Sequence, residues 1–238
     1  MFYIALGLGV GCVTAYNFIR IRRLGWIGFF SKILSSLLFL LAGIFAGAAA
    51  GAPGGFYASM VGGLAMGFVG DIVLDLPYFV PKYRSVFLVG GIICFSAGHV
   101  LYCFAAFLTT EPDLLGVFVP IAVAFVLSVV VVCYVAPAMG LDFKRLDFAV
   151  LGYVFLLFLM IGAGVSVSIA TGFELVWPVF FMAGLIFAVS DAARGRIFFG
   201  RREGRDLGYT PTPRLFYLIN HAAYHPAQYL LAICLLLI

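Results

Sequence analysis

The feature that most constrains this chain is a repeated one: eight apolar runs, set apart by short polar loops. They cover approximately 2–19, 27–50, 57–76, 85–108, 114–136, 147–170, 175–193 and 214–236. A helix rises about 1.5 Å per residue, so each run is near the roughly 20 residues that cross a hydrocarbon core about 30 Å thick. Composition agrees, because a soluble chain needs far more surface charge than the 10% found here beside 65% hydrophobic residues. The expected fold is an all-α polytopic membrane protein, a single domain over 1–238 built as a bundle of eight transmembrane helices. Short loops make neighbours antiparallel. The first run lacks a basic leader and a small-residue cleavage site, so it reads as a membrane helix and not a removed signal. Most prolines fall in loops or at helix edges; Pro178 suits a first turn, and Pro226 is expected to kink the last helix.

Charge placement gives the orientation. All 14 Lys and Arg fall in or beside the odd loops. Loop one holds Arg20, Arg22 and Arg23, with Lys32 just beyond; loop three holds Lys82 and Arg84; loop five holds Lys144 and Arg145. Loop seven holds Arg194, Arg196, Arg201, Arg202 and Arg205, with Arg214 at its edge. The even loops carry only acids, Glu111, Asp113 and Glu174. The positive-inside rule then puts the odd loops in the cytoplasm and both termini outside. A multi-pass protein of the cell inner membrane is expected if the chain is bacterial. The net charge of +4 is thus a topology signal at anionic headgroups, not a nucleic-acid footprint. The five Cys sit inside apolar runs without Cys-x-x-Cys spacing and read as packing residues.

Within the third run, Gly67-Phe68-Val69-Gly70-Asp71-Ile72-Val73-Leu74-Asp75-Leu76-Pro77 places two carboxylates in apolar sequence. A lone Asp at mid-helix costs about 2.5–3.5 kcal/mol on insertion scales, so it needs a partner or a use. Asp71 and Asp75 are i,i+4 and share a face. Asp75 reads as interfacial. Asp71 lies about six residues in from the helix end, roughly 9 Å deep. Gly63, Gly67 and Gly70 form a stripe that lets another helix approach.

Three other runs carry polar residues. In the fourth, Phe95, His99 and Tyr102 share a face, with His99 about 20 Å from the inner end. The seventh ends Ser190-Asp191-Ala192-Ala193-Arg194, so Asp191 lies near the inner edge, where it meets Asp71 or pairs with Arg194 or Arg196. The eighth carries a stripe of Tyr217, His221, Tyr224 and Gln228, with Asn220 beside it. His221 and His225 have the i,i+4 spacing that holds one metal from a single helix; with Asp71 and His99 they make an alternative zinc site. No cofactor is otherwise expected, and no nucleophile elbow, P-loop or dinucleotide fingerprint occurs. Two carboxyls brought together in a low-dielectric site share a proton and supply an acid beside a base. That arrangement suits hydrolysis by protonating one atom and activating water.

Gly70-Asp71 with Leu74, Phe87…Gly98-His99-x-Leu101-Tyr102, Ser190-Asp191 and Tyr224-x-x-Ala227-Gln228 together resemble the YhhN family of eight-helix membrane proteins, the lysoplasmalogenase family. The motifs run from the third helix to the eighth. Asp75, His221 and His225 depart from the family pattern. The resemblance implies hydrolysis of the vinyl ether bond of lysoplasmalogen, a single-chain ether phospholipid, to a fatty aldehyde and a glycerophospho-base. It implies Asp71 and Asp191 as the catalytic carboxylates. His99, Tyr102, Ser190, His221, Tyr224 and Gln228 would bind or orient substrate and water, and Lys82, Arg194 and Arg196 would meet the headgroup. Two other classes stand beside it: a zinc-dependent intramembrane lipid amidase using His99, His221 and His225, and a proton-coupled transporter. Against the transporter, the sequence shows no inverted repeat and no paired broken helices.

Overall fold

The computed structural model describes residues 1–22, 26–110, 112–200 and 214–238. Eight long helices account for most of them: α1 (Phe2–Arg22), α2 (Trp26–Ala50), α3 (Gly54–Asp75), α4 (Arg84–Thr110), α5 (Leu114–Val130), α6 (Asp147–Ala170), α7 (Val176–Phe199) and α8 (Arg214–Leu237). The described residues contain no strand, only one isolated bridge between Leu141 and Gly200. Six helices are long and apolar enough to cross a membrane: α2, α3, α4, α5 with its extension, α6 and α7. Phe2–Asn17 is a shorter apolar helix, and α8, with its polar stripe, is not among the six. Arg23, Arg201, Arg202, Arg205, Glu111, Pro211 and Pro213 lie outside the described residues.

Two expected boundaries move. α7 runs to Phe199, so Arg194 and Arg196 sit on a helix and not in a loop. Lys32 lies within α2, on its second turn, as the run over 27–50 implies. α5 does not stop before Pro137: it passes through a π-helical stretch, Val131–Val135, into Ala136–Ala138. α5 also contains Pro120, which has no N–H for the Gly116 carbonyl one turn earlier. Ser166 on α6 fills that gap, its hydroxyl donating to Gly116 O at 2.8 Å. α8 continues as helix through Pro226.

Small residues set the helix spacing around α3. It packs most extensively on α4, while α8 touches α1, α2, α3 and α7. A Cβ on Gly63 would fall 2.3 Å from the Tyr102 ring, one on Gly70 2.9 Å from Phe95, and one on Gly91 2.2 Å from Leu74. Gly63 and Gly70 are therefore a docking face for α4, as α4's own Gly91 is for α3, while Gly67 faces Gln228 and Tyr224 of α8. The core around it holds Phe39, Met60, Leu64, Tyr102, Phe187 and Tyr224, all buried.

Candidate active site

A cluster of charges is buried where α2, α3, α7 and α8 approach the ends that carry the odd loops. Lys32 is 2% exposed. Its ammonium contacts the Asp71 carbonyl at 3.1 Å, Asp71 Oδ1 at 3.1 Å and Asp75 Oδ1 at 3.2 Å. The Asp71 Oδ1 contact is an ion pair without hydrogen-bond alignment. Ser36, one turn along α2, donates to Asp71 Oδ2 at 2.6 Å. Lys32 and Ser36 are i,i+4 on one helix and Asp71 and Asp75 are i,i+4 on the next, so two matched faces interlock. This corrects one expectation. The partner of Asp71 is Lys32 with Ser36, not a hydrogen-bonded Asp191. Asp75, the last residue of α3, is buried at 5% exposure and shares the same ammonium.

Asp191 belongs to a second group. Tyr153 on α6 donates a hydrogen bond to Asp191 Oδ2. The Tyr153 oxygen also lies 3.4 Å from His99 Nε2. His99 is buried, its ring against Phe187 and Tyr153.

Arg194, one turn beyond Asp191 on the same helix, joins the two groups. Its guanidinium is within electrostatic range of Asp71, Asp191, Tyr224 and Asp75. It lies over the rings of Phe95 and Tyr224 at 5.7 and 5.6 Å, a cation–π arrangement. Its Nη2 donates to Asn220 Oδ1 at 3.1 Å. Asn220 in turn donates to Ser190 Oγ at 2.8 Å and to the Ser190 carbonyl at 3.0 Å, tying α8 to α7 beside Asp191.

Arg194 also borders two cavities. The larger, about 320 Å³, lies between α4, the end of α5, α6 and α7. Its walls are apolar except for Tyr153, Asp191 and Arg194. Val135 and Met139 among its lining residues are 41% and 48% exposed, so the cavity reaches the bundle's outer face there. The smaller, about 20 Å³, has mixed walls: Lys32, Asp75, Arg194, Tyr217, Asn220 and His221 beside Leu74, Ile197 and Phe198. Asp71 lines neither.

The α8 stripe divides. Tyr102 donates to Gln228 Oε1 at 3.0 Å, Gln228 Nε2 donates to Tyr224 Oη at 3.2 Å, and Tyr224 donates to the Gly67 carbonyl at 3.3 Å while interacting with Asp71. This chain fixes Tyr224 between Arg194 and Asp71. His221 pairs with Tyr16 on α1 at 2.9 Å, and His225 Nδ1 lies 3.2 Å from the His221 carbonyl. The structure does not assemble the alternative zinc site: His99 sits with Tyr153 and Phe187, and among the described residues no three His, Cys, Asp or Glu are grouped to hold a metal. The three basic headgroup candidates have different surroundings. Arg194 faces the buried carboxylates, and Arg196 donates to the Met139 carbonyl at 2.7 Å, capping the extension of α5. Lys82 is exposed, its ammonium 5.5 Å from the Tyr83 ring centroid.

Sequence reasoning missed Lys32, Tyr16 and Tyr153 as members of these groups. A signal for Lys32 existed: Lys32 and Ser36 carry the same i,i+4 spacing as Asp71 and Asp75 on the adjacent helix.

Fold and site together define a multi-pass, all-α membrane protein with a buried carboxylate–cation cluster beside an apolar cavity. The model of the YhhN family matches residues 27–235, and the chain belongs to that family. No curated protein and no solved structure matches it.

Proposed function

We propose that this protein hydrolyses the vinyl ether bond of a lysoplasmalogen, releasing a fatty aldehyde and a glycerophospho-base such as glycerophosphoethanolamine or glycerophosphocholine. The observation that carries this reading is the large cavity: an apolar slot the size of a lipid segment, with one carboxyl on its wall. Family membership supports it.

Charge balance assigns the roles. Lys32 and Arg194 supply two positive charges, and Asp71 and Asp75 supply two negative ones. A further anion would be uncompensated in a low-dielectric site, so Asp191 is the carboxyl that holds a proton. Tyr153 occupies its Oδ2, which leaves Oδ1 to carry that proton. Asp191 delivers it to the vinyl carbon remote from the ether oxygen. The π pair becomes the new C–H bond, and the oxygen lone pair stabilises the resulting oxocarbenium ion. The carboxylate left behind faces that cation and accepts a proton from water as the water oxygen bonds to the cationic carbon. The hemiacetal then collapses: its hydroxyl proton ends on the departing glycerol oxygen, and aldehyde forms. Asp71 acts without touching substrate. With Asp75 it keeps Arg194 compensated, so that Arg194 does not claim the Asp191 proton site as its own counter-ion.

All eight helices cross the membrane in this reading, with the odd loops cytoplasmic and both termini outside. The headgroup faces the loop side near Lys82. Cysteine placed by Lys144→Cys in a cysteine-free background should react only with reagents that enter the cytoplasm; labelling from outside reverses the orientation.

The test of the chemistry is aldehyde release from lysoplasmalogen by purified Asp191→Asn and Asp71→Asn proteins. Asp191→Asn should lose about 10²–10⁴-fold, the usual worth of a positioned acid. Asp71→Asn should lose activity with less change in KM. Full activity in either folded variant would sink the assignment.

A further inference from the structure

We infer that Tyr153 is the positioning residue for Asp191, selecting the carboxyl oxygen that delivers the proton, and that His99 acts only through Tyr153. The inference rests on the proposed vinyl ether hydrolysis.

Three elements converge here. Tyr153 comes from α6, Asp191 from α7 and His99 from α4. The Tyr153 hydroxyl has one hydrogen, and it goes to Asp191 Oδ2. Its oxygen can therefore only accept from His99, which requires the hydrogen of the neutral imidazole on Nε2. His99 Nδ1 is buried without a hydrogen-bond partner. That is consistent with this tautomer, since a bare acceptor is left there and not an orphaned N–H. His99 is 1% exposed and is absent from the cavity wall, whereas Tyr153 lines it. A substrate in the cavity meets Tyr153 and Asp191 but not His99. This replaces the expectation that His99 orients substrate or water directly.

The arrangement favours the transition state over the ground state. While Asp191 is protonated, its Oδ2 accepts a neutral hydrogen bond. As the proton leaves Oδ1, that bond becomes charge-assisted and roughly doubles in strength. Only interactions that strengthen along the reaction raise kcat. The His99 N–H pointing at the phenol oxygen fixes the direction of the Tyr153 hydroxyl, so the phenol donates to Asp191 in both states.

The experiment measures kcat and KM for aldehyde release from lysoplasmalogen in vesicles of saturated phosphatidylcholine. The variants are Tyr153→Phe, His99→Phe, His99→Gln and the Tyr153→Phe/His99→Phe pair. Tyr153→Phe should lower kcat about ten-fold, matching the extra strength of a charge-assisted bond, with KM within about two-fold. His99→Phe should lower kcat, and His99→Gln, which keeps an N–H donor, should restore most of it. The double variant should be no worse than Tyr153→Phe alone, because His99 has nothing left to act on. Unchanged kcat in Tyr153→Phe, or losses that multiply in the double variant, would overturn the inference.

Infrared difference spectra separate this failure from failure of the reaction itself. The protonated-carboxyl band lost in Asp191→Asn should shift in Tyr153→Phe and in His99→Phe, with no substrate present. If wild-type protein released no aldehyde, the hydrolytic reading would fall. The Asp191–Tyr153–His99 chain would then be upheld by those shifts and refuted by a band that stays in place.

Discussion

Lys32→Met is the most informative single perturbation of the buried cluster. Methionine keeps much of the side-chain length and removes the ammonium. In the wild type that ammonium makes three contacts of 3.1, 3.1 and 3.2 Å, two of them to carboxylates. Its loss leaves Asp71 and Asp75 with Arg194 as the cation in electrostatic range of both. Removing one partner of a buried ion pair costs about 3–5 kcal/mol, because the remaining charge is stranded. Taking the lower figure, the folded-to-unfolded ratio drops by roughly two orders of magnitude, at about 1.4 kcal/mol per decade. Thermal unfolding in a mild detergent, followed by tryptophan fluorescence, should show a large fall in midpoint. The refined test is the pair Lys32→Met/Asp75→Asn. It restores charge balance, so it should recover a large part of the lost stability, whereas Asp75→Asn alone should not stabilise the wild type. If Lys32→Met unfolds at the wild-type temperature, the cluster does not hold α2 to α3 and the charge argument that protonates Asp191 fails with it.

Two further substitutions probe geometry. Gly67→Ala puts a Cβ 2.6 Å from Gln228 Nε2, so the Tyr102–Gln228–Tyr224 chain must shift; a loss of about 1–3 kcal/mol is expected in the same unfolding assay. Gly152→Ala is its control, because a Cβ there meets nothing within 4 Å and stability should not fall. Gly195 lines the large cavity, and a Cβ on it has only Leu141 Cδ1 nearby, at 3.6 Å. Gly195→Ala should thus be tolerated, while Gly195→Leu should cut kcat/KM about ten-fold or more for long-tailed substrate by filling the slot.

The helices were legible because each needs a long apolar run, and backbone pairing in lipid leaves a long run little choice. Asp71, Asp191, Tyr224 and Gln228 were legible as polar residues where polarity is expensive. Lys32 was not, because six residues from Trp26 it counts as an edge charge in any loop tally. Its burial depends on α3 presenting Asp71 and Asp75 to it, which only packing reveals. Tyr153 was hidden for another reason: a tyrosine near the start of an apolar helix has the signature of an interfacial aromatic. The expected contact between Asp71 and Asp191 followed from depth alone. Depth places residues at one level of a bundle but says nothing about which way they turn, and here each turns to a different partner. Arg194 shows the same limit, since a helix that continues past its last apolar residue draws a nominal loop cation inside.

The position of Arg194 on the walls of both cavities has a consequence for supply. One cavity reaches the bundle's outer face among apolar helices; the other, with mixed walls, lies at the odd-loop ends. In the proposed reaction the lipid arrives through the first and water through the second, each from its own phase, and they meet across a single guanidinium. The substrate need never leave the bilayer, and the two products leave for different solvents: the aldehyde to the lipid, the glycerophospho-base to water. Turnover then depends on two separate reservoirs. Diluting the substrate with inert lipid should slow the reaction at constant bulk concentration, whereas changing the aqueous volume should not.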